Sequence, residues 1–320
     1  MLITQLKDVL NDENLVKVET VQMLWSDYGE IARYFSPVNN KHIIIKHIDV
    51  PLQVTHPRGW DGEVSHQRKL KSYQVESHFY KAYADNCLDS FRVPKRIASL
   101  SIDEQLCIVM EDLDYAGYPT RLDDIKLDQI KLVIHWLANF HGYFLNSKAH
   151  GLWPQGCYWH LATRQDELAA MASGRLKNKA NAIAQKLTQA KYKTLVHGDA
   201  KLANFCFAQD LTKVAAVDFQ YIGSGVGVQD LAYFLGSCLD SKDLHKYHDE
   251  LLTAYFTNLK LAIKRYHKGI NSKLVIAEWQ ELYAYAWADF YRFLQGWSPT
   301  HFKINGYMHK QTEIALAQLK

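Results

Sequence analysis

The hydrophobic pattern of this chain changes period once, near residue 112, and that change limits the architectures open to it. Before it, apolar runs at 15–25, 30–35 and 42–48, the last centred on Ile43-Ile44-Ile45, alternate with polar breaks and predict strands of an antiparallel sheet. A polar stretch with Gly and Pro at 51–62 leads into residues 65–84. There Leu70, Tyr73, Val75, Phe79, Tyr80 and Tyr83 recur near helical spacing. Two more strand-like runs follow, at 96–101 and 105–110. From residue 125 onward the period is helical, over 130–146, 168–187, 230–239, 244–266 and 274–294. Short strands interrupt it only at 194–196, 204–207 and 214–217. The expected architecture is therefore α+β, with a sheet-rich part at 1–112 and a helical part at 113–320. No internal repeat is present.

Bulk properties remove several classes of function. A chain of 320 residues with 48% hydrophobic content can bury a core of more than one minimal module. Lys and Arg are spread along it and the net charge is only +3, so no nucleic-acid partner is expected. The five cysteines are far apart and form no Cys-x-x-Cys pair, which argues against a disulfide framework or a zinc site. Residues 1–15 read as an amphipathic helix rather than a signal peptide. No run reaches the ~18 apolar residues of a membrane span, so a soluble cytoplasmic protein is expected.

The chemistry concentrates in two short segments. Directly after the strand at 194–196 comes His197-Gly198-Asp199-Ala200-Lys201-Leu202-Ala203-Asn204, an acid and an amide five residues apart. A kinase catalytic loop has this spacing, its Asp accepting the substrate hydroxyl proton and its Asn holding magnesium. Fourteen residues past Asn204, the strand 214–217 ends at Asp218, with Phe219 and Gln220 following. A triphosphate repels both the nucleophile and the protein's own acids, so Mg2+ must neutralise it, and oxygen ligands suit that ion. Asn204 and Asp218 supply such ligands with one added negative charge, leaving Asp199 as base. Taken alone, Asp199 would be a turn or cap residue and His197 a buried strut; the combined spacing favours the catalytic reading of the acid.

The sheet-rich part offers what ATP would require. Lys46 lies on the strand 42–48, and Glu76, thirty residues on, lies within the next helix, where it can hold that lysine against phosphate. Cys107 to Leu113 is an apolar strand that meets two acids at the change of period. It reads as a hinge where Met110, Glu111 and Leu113 would border adenine.

These motifs, with Val75-Glu76-Ser77-His78-Phe79-Tyr80, Met110-Glu111-Asp112-Leu113 and Asp230-Leu231-Ala232-Tyr233-Phe234-Leu235, make the chain resemble the choline kinase, aminoglycoside phosphotransferase and ecdysteroid-kinase-like superfamily. The Asp218-Phe219-Gln220 triplet and the Glu-x-x-Phe-Tyr helix are most similar to the ecdysteroid-kinase-like branch. The resemblance runs from about residue 20 to about 300, in order. It implies a bilobal protein-kinase-like fold with a nucleotide-binding lobe at 1–112 and a catalytic lobe at 113–320. It also implies ATP and Mg2+ as cofactors and γ-phosphoryl transfer to a small-molecule hydroxyl, and it leaves the oligomeric state open. A protein serine/threonine kinase and an inactive nucleotide-binding relative are the alternatives.

Two features depart from the family pattern. The phosphate-covering loop is expected near Ser26, Tyr28 and Gly29 and has one glycine instead of three. Lys201 stands two positions after Asp199, where many ecdysteroid-kinase-like proteins have an aromatic, and a lysine there can touch the transferring phosphoryl group. Gly223-Ser224-Gly225-Val226-Gly227 reads as a flexible loop. Trp153, Tyr158, Trp159 and His160 form an aromatic cluster suited to an acceptor pocket, and Tyr283, Trp287 and Tyr291 a stripe suited to packing.

Overall fold

The structure, a computed structural model, describes residues 2–24, 28–49, 63–102 and 105–319. Its first part is a five-stranded antiparallel sheet, built from β1 (Val16–Met23), β2 (Gly29–Ser36), β3 (Lys41–Ile48), β4 (Arg96–Ile102) and β5 (Gln105–Glu111) in the order β1-β2-β3-β5-β4. Helix α1 (Leu2–Leu10) covers one face and α2 (Glu63–Ala82) lies against the other. The two-residue period of the central strands decides which side chain meets which helix. Ile43 and Ile45 of β3, with Cys107 and Val109 of β5, pack with Leu6 of α1. The intervening Lys46 pairs with Ile108 and points to the opposite side, where Ile108 and Met110 join Val75, Phe79 and Tyr80 of α2.

The remainder is mostly helical: α3 (Leu127–Tyr143), α4 (Gln165–Ala170), α5 (Arg175–Thr188), α6 (Val228–Cys238), α7 (Ser241–Tyr266), α8 (Ser272–Trp297) and α9 (Gly306–Gln318). One continuous core joins them, and α8 runs through it with Trp279, Trp287 and Phe290 buried. Two short antiparallel strand pairs contribute to that core. The first joins β6 (Thr194–Val196) to β9 (Gly223–Gly225), and the second joins β7 (Phe205–Phe207) to β8 (Val214–Ala216). Among the described residues no helix is long and apolar enough to cross a membrane, and all five cysteines are free.

Three departures from the sequence reading have local causes. The helix expected over 168–187 is two helices, because the chain turns at Met171–Gly174, where Gly174 adopts an extended backbone. The loop expected at 223–227 contains strand β9. Its glycines let neighbours approach closely: a Cβ on Gly223 would lie 2.3 Å from the Trp153 carbonyl oxygen of the backbone, and one on Gly225 2.8 Å from the side-chain Oε1 of Gln229. Helix α9 had no counterpart in the periodicity; Asn305 caps it by accepting from the Met308 amide at 3.0 Å.

Helices α4 and α8 touch through backbone at Gly296, where an added Cβ would stand 1.8 Å from the carbonyl oxygen of Glu167. Neither main chain can yield as a flexible side chain would. Gly296→Ala is therefore expected to destabilise the protein by roughly 1–3 kcal/mol or more through overpacking. Gly269→Ala, whose methyl meets nothing within 4 Å, is the control. The paired urea midpoints check the difference.

Candidate functional site

The site begins where β6 stops. Strand β6 is buried throughout and delivers His197 and Gly198 into a turn that requires glycine: Gly198 has φ +80°, and a Cβ would approach the Tyr221 carbonyl oxygen to 2.1 Å. Asp230, fully buried on α6, fixes this turn. Its Oδ2 accepts from the His197 amide at 2.6 Å and its Oδ1 from the Gly198 amide at 2.9 Å. His141 Nε2 lies 3.1 Å from the same carboxylate, and His141 Nδ1 lies 2.8 Å from the Tyr255 hydroxyl. His197 in turn ties the turn to the strand before Asp218. Its Nδ1 accepts from the Asp199 amide at 3.2 Å, which leaves Nε2 to donate to the Val217 carbonyl at 3.0 Å.

Asp199 thus emerges on a braced backbone, only 8% exposed. Its Oδ2 accepts from Lys201 Nζ at 3.1 Å and from Asn204 Nδ2 at 3.2 Å. The Asn204 side-chain amide also donates to the Asp199 main-chain carbonyl at 2.8 Å, and the Asn204 main-chain carbonyl accepts from the Val217 amide at 3.0 Å. That last bond seats Asp218 beside Asn204. Asp218 holds φ +69°, an uncommon conformation for a side-chain-bearing residue and one that clusters at functional sites.

The sheet meets this loop through charge. Lys46 Nζ, nearly inaccessible, lies 2.5 Å from Glu76 Oε2 on α2 and 3.4 Å from Asp218 Oδ1. Burial works against the Lys46 charge, yet Glu76 and Asp218 outweigh it and hold the ammonium above the ordinary lysine range. For Asp218, burial pushes upward and Lys46, Lys201 and Lys69 pull downward; the cations win, and its pKa falls to about 2. Gln220 completes the link, donating to Asp218 Oδ1 at 2.8 Å and accepting from Ser72 Oγ of α2 at 3.1 Å. Phe219 stacks on Phe79 at 4.1 Å and lies 4.6 Å from the His197 ring.

A cleft of about 430 Å³ opens between sheet and helices, within the ordinary range of small-molecule sites. Lys46 and Glu76 line it, as do Asp199, Lys201, Asn204 and Asp218; Met110, Glu111 and Leu113 border its other end. Tyr28 and Gly29 are not brought there. Tyr28 is buried with Leu24, Ile48 and Tyr73, its hydroxyl 2.5 Å from His66 Nδ1. A Cβ on Gly29 would strike the His47 carbonyl at 2.1 Å. Ser26 lies outside the described residues.

Several cleft residues escaped the sequence reading. Lys69 lies two helical turns before Glu76 on α2 and shares its face; it reaches Gln220 Oε1 at 3.4 Å. Burial lowers its ammonium to about 8, although Asp218 pulls the other way. Helical spacing from Glu76 could have found it. Arg33 is gathered from β2 by Asp112, whose Oδ2 accepts from its Nε at 2.5 Å, and by Asp114 and Glu19. No local pattern announces that cluster. Of the expected aromatic groups, Tyr158 and Trp159 pack on Tyr233 at 5.6 and 4.9 Å, while Tyr283 and Trp287 are core residues.

Two backbone amides depend on Asp230, so Asp230→Ala strands both donors in the interior. The expected loss is on the order of 2–6 kcal/mol. A urea titration of the variant against the unmodified protein measures it.

The model of the ecdysteroid kinase-like family matches residues 157–268, a span that holds Asp199, Lys201, Asn204, Asp218 and Asp230. No curated protein sequence matches the chain. Among solved structures, the Plasmodium vivax ethanolamine kinase is similar at 12% identity and TM-score 0.50, covering 97% of this chain and 84% of its own. A microcompartment-associated aminopropanol kinase is similar at 13% identity and TM-score 0.47, covering 98% of this chain and 94% of its own. At this identity the first likeness is one of fold. The chain therefore joins a kinase-like fold to an ecdysteroid-kinase-like segment at 157–268, as its resemblance to the choline kinase, aminoglycoside phosphotransferase and ecdysteroid-kinase-like superfamily implies.

Proposed function

We propose that the chain is an ATP- and magnesium-dependent phosphotransferase that moves the γ-phosphoryl group to the hydroxyl of a small molecule. The observation that carries this reading is the convergence of Lys46, Glu76, Asp199, Asn204 and Asp218 on one cleft. In the proposed division, lobe 1–112 and lobe 113–320 hold the nucleotide between them, with Met110, Glu111 and Leu113 on the adenine side. The five free thiols fit a cytoplasmic enzyme.

The donor set suits magnesium. Asp218 stays ionised at a pKa of about 2, and the Asn204 Nδ2 is already spent on Asp199, leaving its oxygen as the donor for a hard cation. When bound there, the ion would neutralise phosphate charge. Lys46, held ionised by Glu76, would contact phosphate oxygens. Asp199 would accept the acceptor's proton as its oxygen forms the bond to phosphorus and the bond to the departing ADP oxygen breaks. Lys201, bonded to Asp199 at 3.1 Å, would sit where the transferring group passes. A peptide acceptor fits less well, since residues 220–229 are a short connection whose middle pairs as β9 with β6 and which enters α6 directly.

Magnesium-dependent ADP release against a panel of alcohols, steroids, amino alcohols and aminoglycosides tests the reading. Asp199→Asn is expected to lower the rate by about 10²–10⁴ on any acceptor that gives signal. Equal rates for the two proteins would remove Asp199 as base. A separate signature is expected from Lys69. Because its ammonium titrates near 8, kcat/KM for ATP should fall as pH rises through that value, the profile reporting the free enzyme. Lys69→Arg, which keeps its charge, should flatten this limb.

A further inference from the structure

We infer that this site selects its acceptor by negative charge: an alcohol bearing an acid group, paired with Lys303 on the Tyr233 side of Asp199. The inference rests on the phosphotransferase reading above and names the substrate class that reading left open.

Lys303 lies in the connection between α8 and α9. Its own main chain is held, the amide donating to His301 Nδ1 at 3.2 Å and the carbonyl accepting from Asn305 Nδ2 at 3.2 Å. Its ammonium sits 4.6 Å from the centre of the Tyr233 ring and 5.9 Å from that of Phe290. These rings meet edge to face at 5.0 Å and form a two-walled aromatic seat. Tyr233 also joins this seat to the catalytic acid. Its ring meets that of Tyr158 at 5.6 Å, and the Tyr158 amide donates to the carbonyl of Gly198, the residue before Asp199, at 3.1 Å; burial together with the Asp199 carboxylate holds the Tyr233 proton far beyond the ordinary tyrosine range. One tyrosine therefore has its ring against Lys303 and its hydroxyl in the field of Asp199.

Two consequences follow for the acceptor. Aromatic faces beside an acid are the place where a protein would hold a ligand ammonium, but here the chain's own ammonium occupies them. A cationic acceptor would meet Lys303 and Lys201 together, and like charges at close range are mutually repulsive. Conversely, Lys303 is a partly buried cation with no carboxylate in ion-pair contact among the described residues; its contacts are the two rings. Burial lowers its ammonium to about 8 despite the field of Asp199. A cation so placed is desolvated with only two rings and the field of Asp199 to offset the cost, and an acid group on the acceptor would supply the missing ion-pair partner while its hydroxyl reaches Asp199.

The experiment compares acceptors in matched triplets on one carbon skeleton: a hydroxy carboxylate, its uncharged amide, and the corresponding amino alcohol, over short aliphatic and aromatic skeletons. The readout is ADP release that disappears in Asp199→Asn. For the unmodified protein, kcat/KM is expected to favour the carboxylate over the amide by about tenfold to a hundredfold, the range of a charge-assisted contact, with the amine poorest. Lys303→Met should collapse the carboxylate-to-amide ratio toward one, Lys303→Arg should retain it, and Lys303→Glu should turn it toward the amine. If thermal melting shows Lys303→Met unfolded, the ratios of the unmodified protein and of Lys303→Arg decide. Preference for the amine, or a ratio unmoved in a folded Lys303→Met, overturns the charge inference and leaves the kinase reading standing. Absence of Asp199-dependent ADP release with every member of every triplet overturns both.

Discussion

Lys46, Glu76 and Asp218 form the contact on which the cleft depends. The lysine comes from the sheet, the glutamate from α2 and the aspartate from the segment after β8, and the first two are almost wholly removed from water. A lone buried charge is so unfavourable that neither Lys46 nor Glu76 could hold its place without the other. Their mutual requirement fixes the distance between sheet and helices, and with it the floor of the cleft. Gln220 reinforces this by bonding Asp218 on one side and Ser72 on the other. The Asp-Phe-Gln triplet thus differs from a simple metal-ligand segment: its third residue fastens α2.

A second buried carboxylate performs a comparable task one layer deeper. Asp230 makes no contact with the cleft, yet it holds the two amides that precede Asp199. Through His197, whose ring joins Asp199 to Val217, the position of the proposed base is tied to that of the proposed metal ligand. The strained φ of Asp218 is tolerable because both neighbours are anchored: Val217 to Asn204, and Phe219 between Phe79 and His197.

Much of this is legible in the sequence. The strands at 42–48 and 105–110 and the helix at 65–84 were legible because their side chains alternate with the period of the structure they enter, and Lys46 and Glu76 could be named from that frame. The segment from His197 to Asn204 was legible because the acid and amide are held at fixed spacing by one short turn. Helix α9 was not, since its buried positions, such as Tyr307, Met308, Gln311 and Thr312, mix apolar and polar residues. Strand β9 was hidden by its glycines, which serve close backbone approach and carry no hydrophobic signal. The expected phosphate-loop contacts at Tyr28 and Gly29 rested on position along the chain, and the structure directs that tyrosine into an apolar cluster instead.

The sequence alone determined the periodic elements and the local spacing of the reactive groups, because both are set by bonds between residues a few positions apart. Lys201 beside Asp199 belongs to that local pattern, whereas the more distant cations were decided by tertiary structure alone. Lys69 and Lys303 lie far along the chain from Asp199, and no short pattern ties a lysine at 303 to an aspartate at 199 and a tyrosine at 233. Such pairings arise only when folding brings distant segments into one low-dielectric space, where a single unpaired cation acquires enough energetic weight to discriminate among ligands.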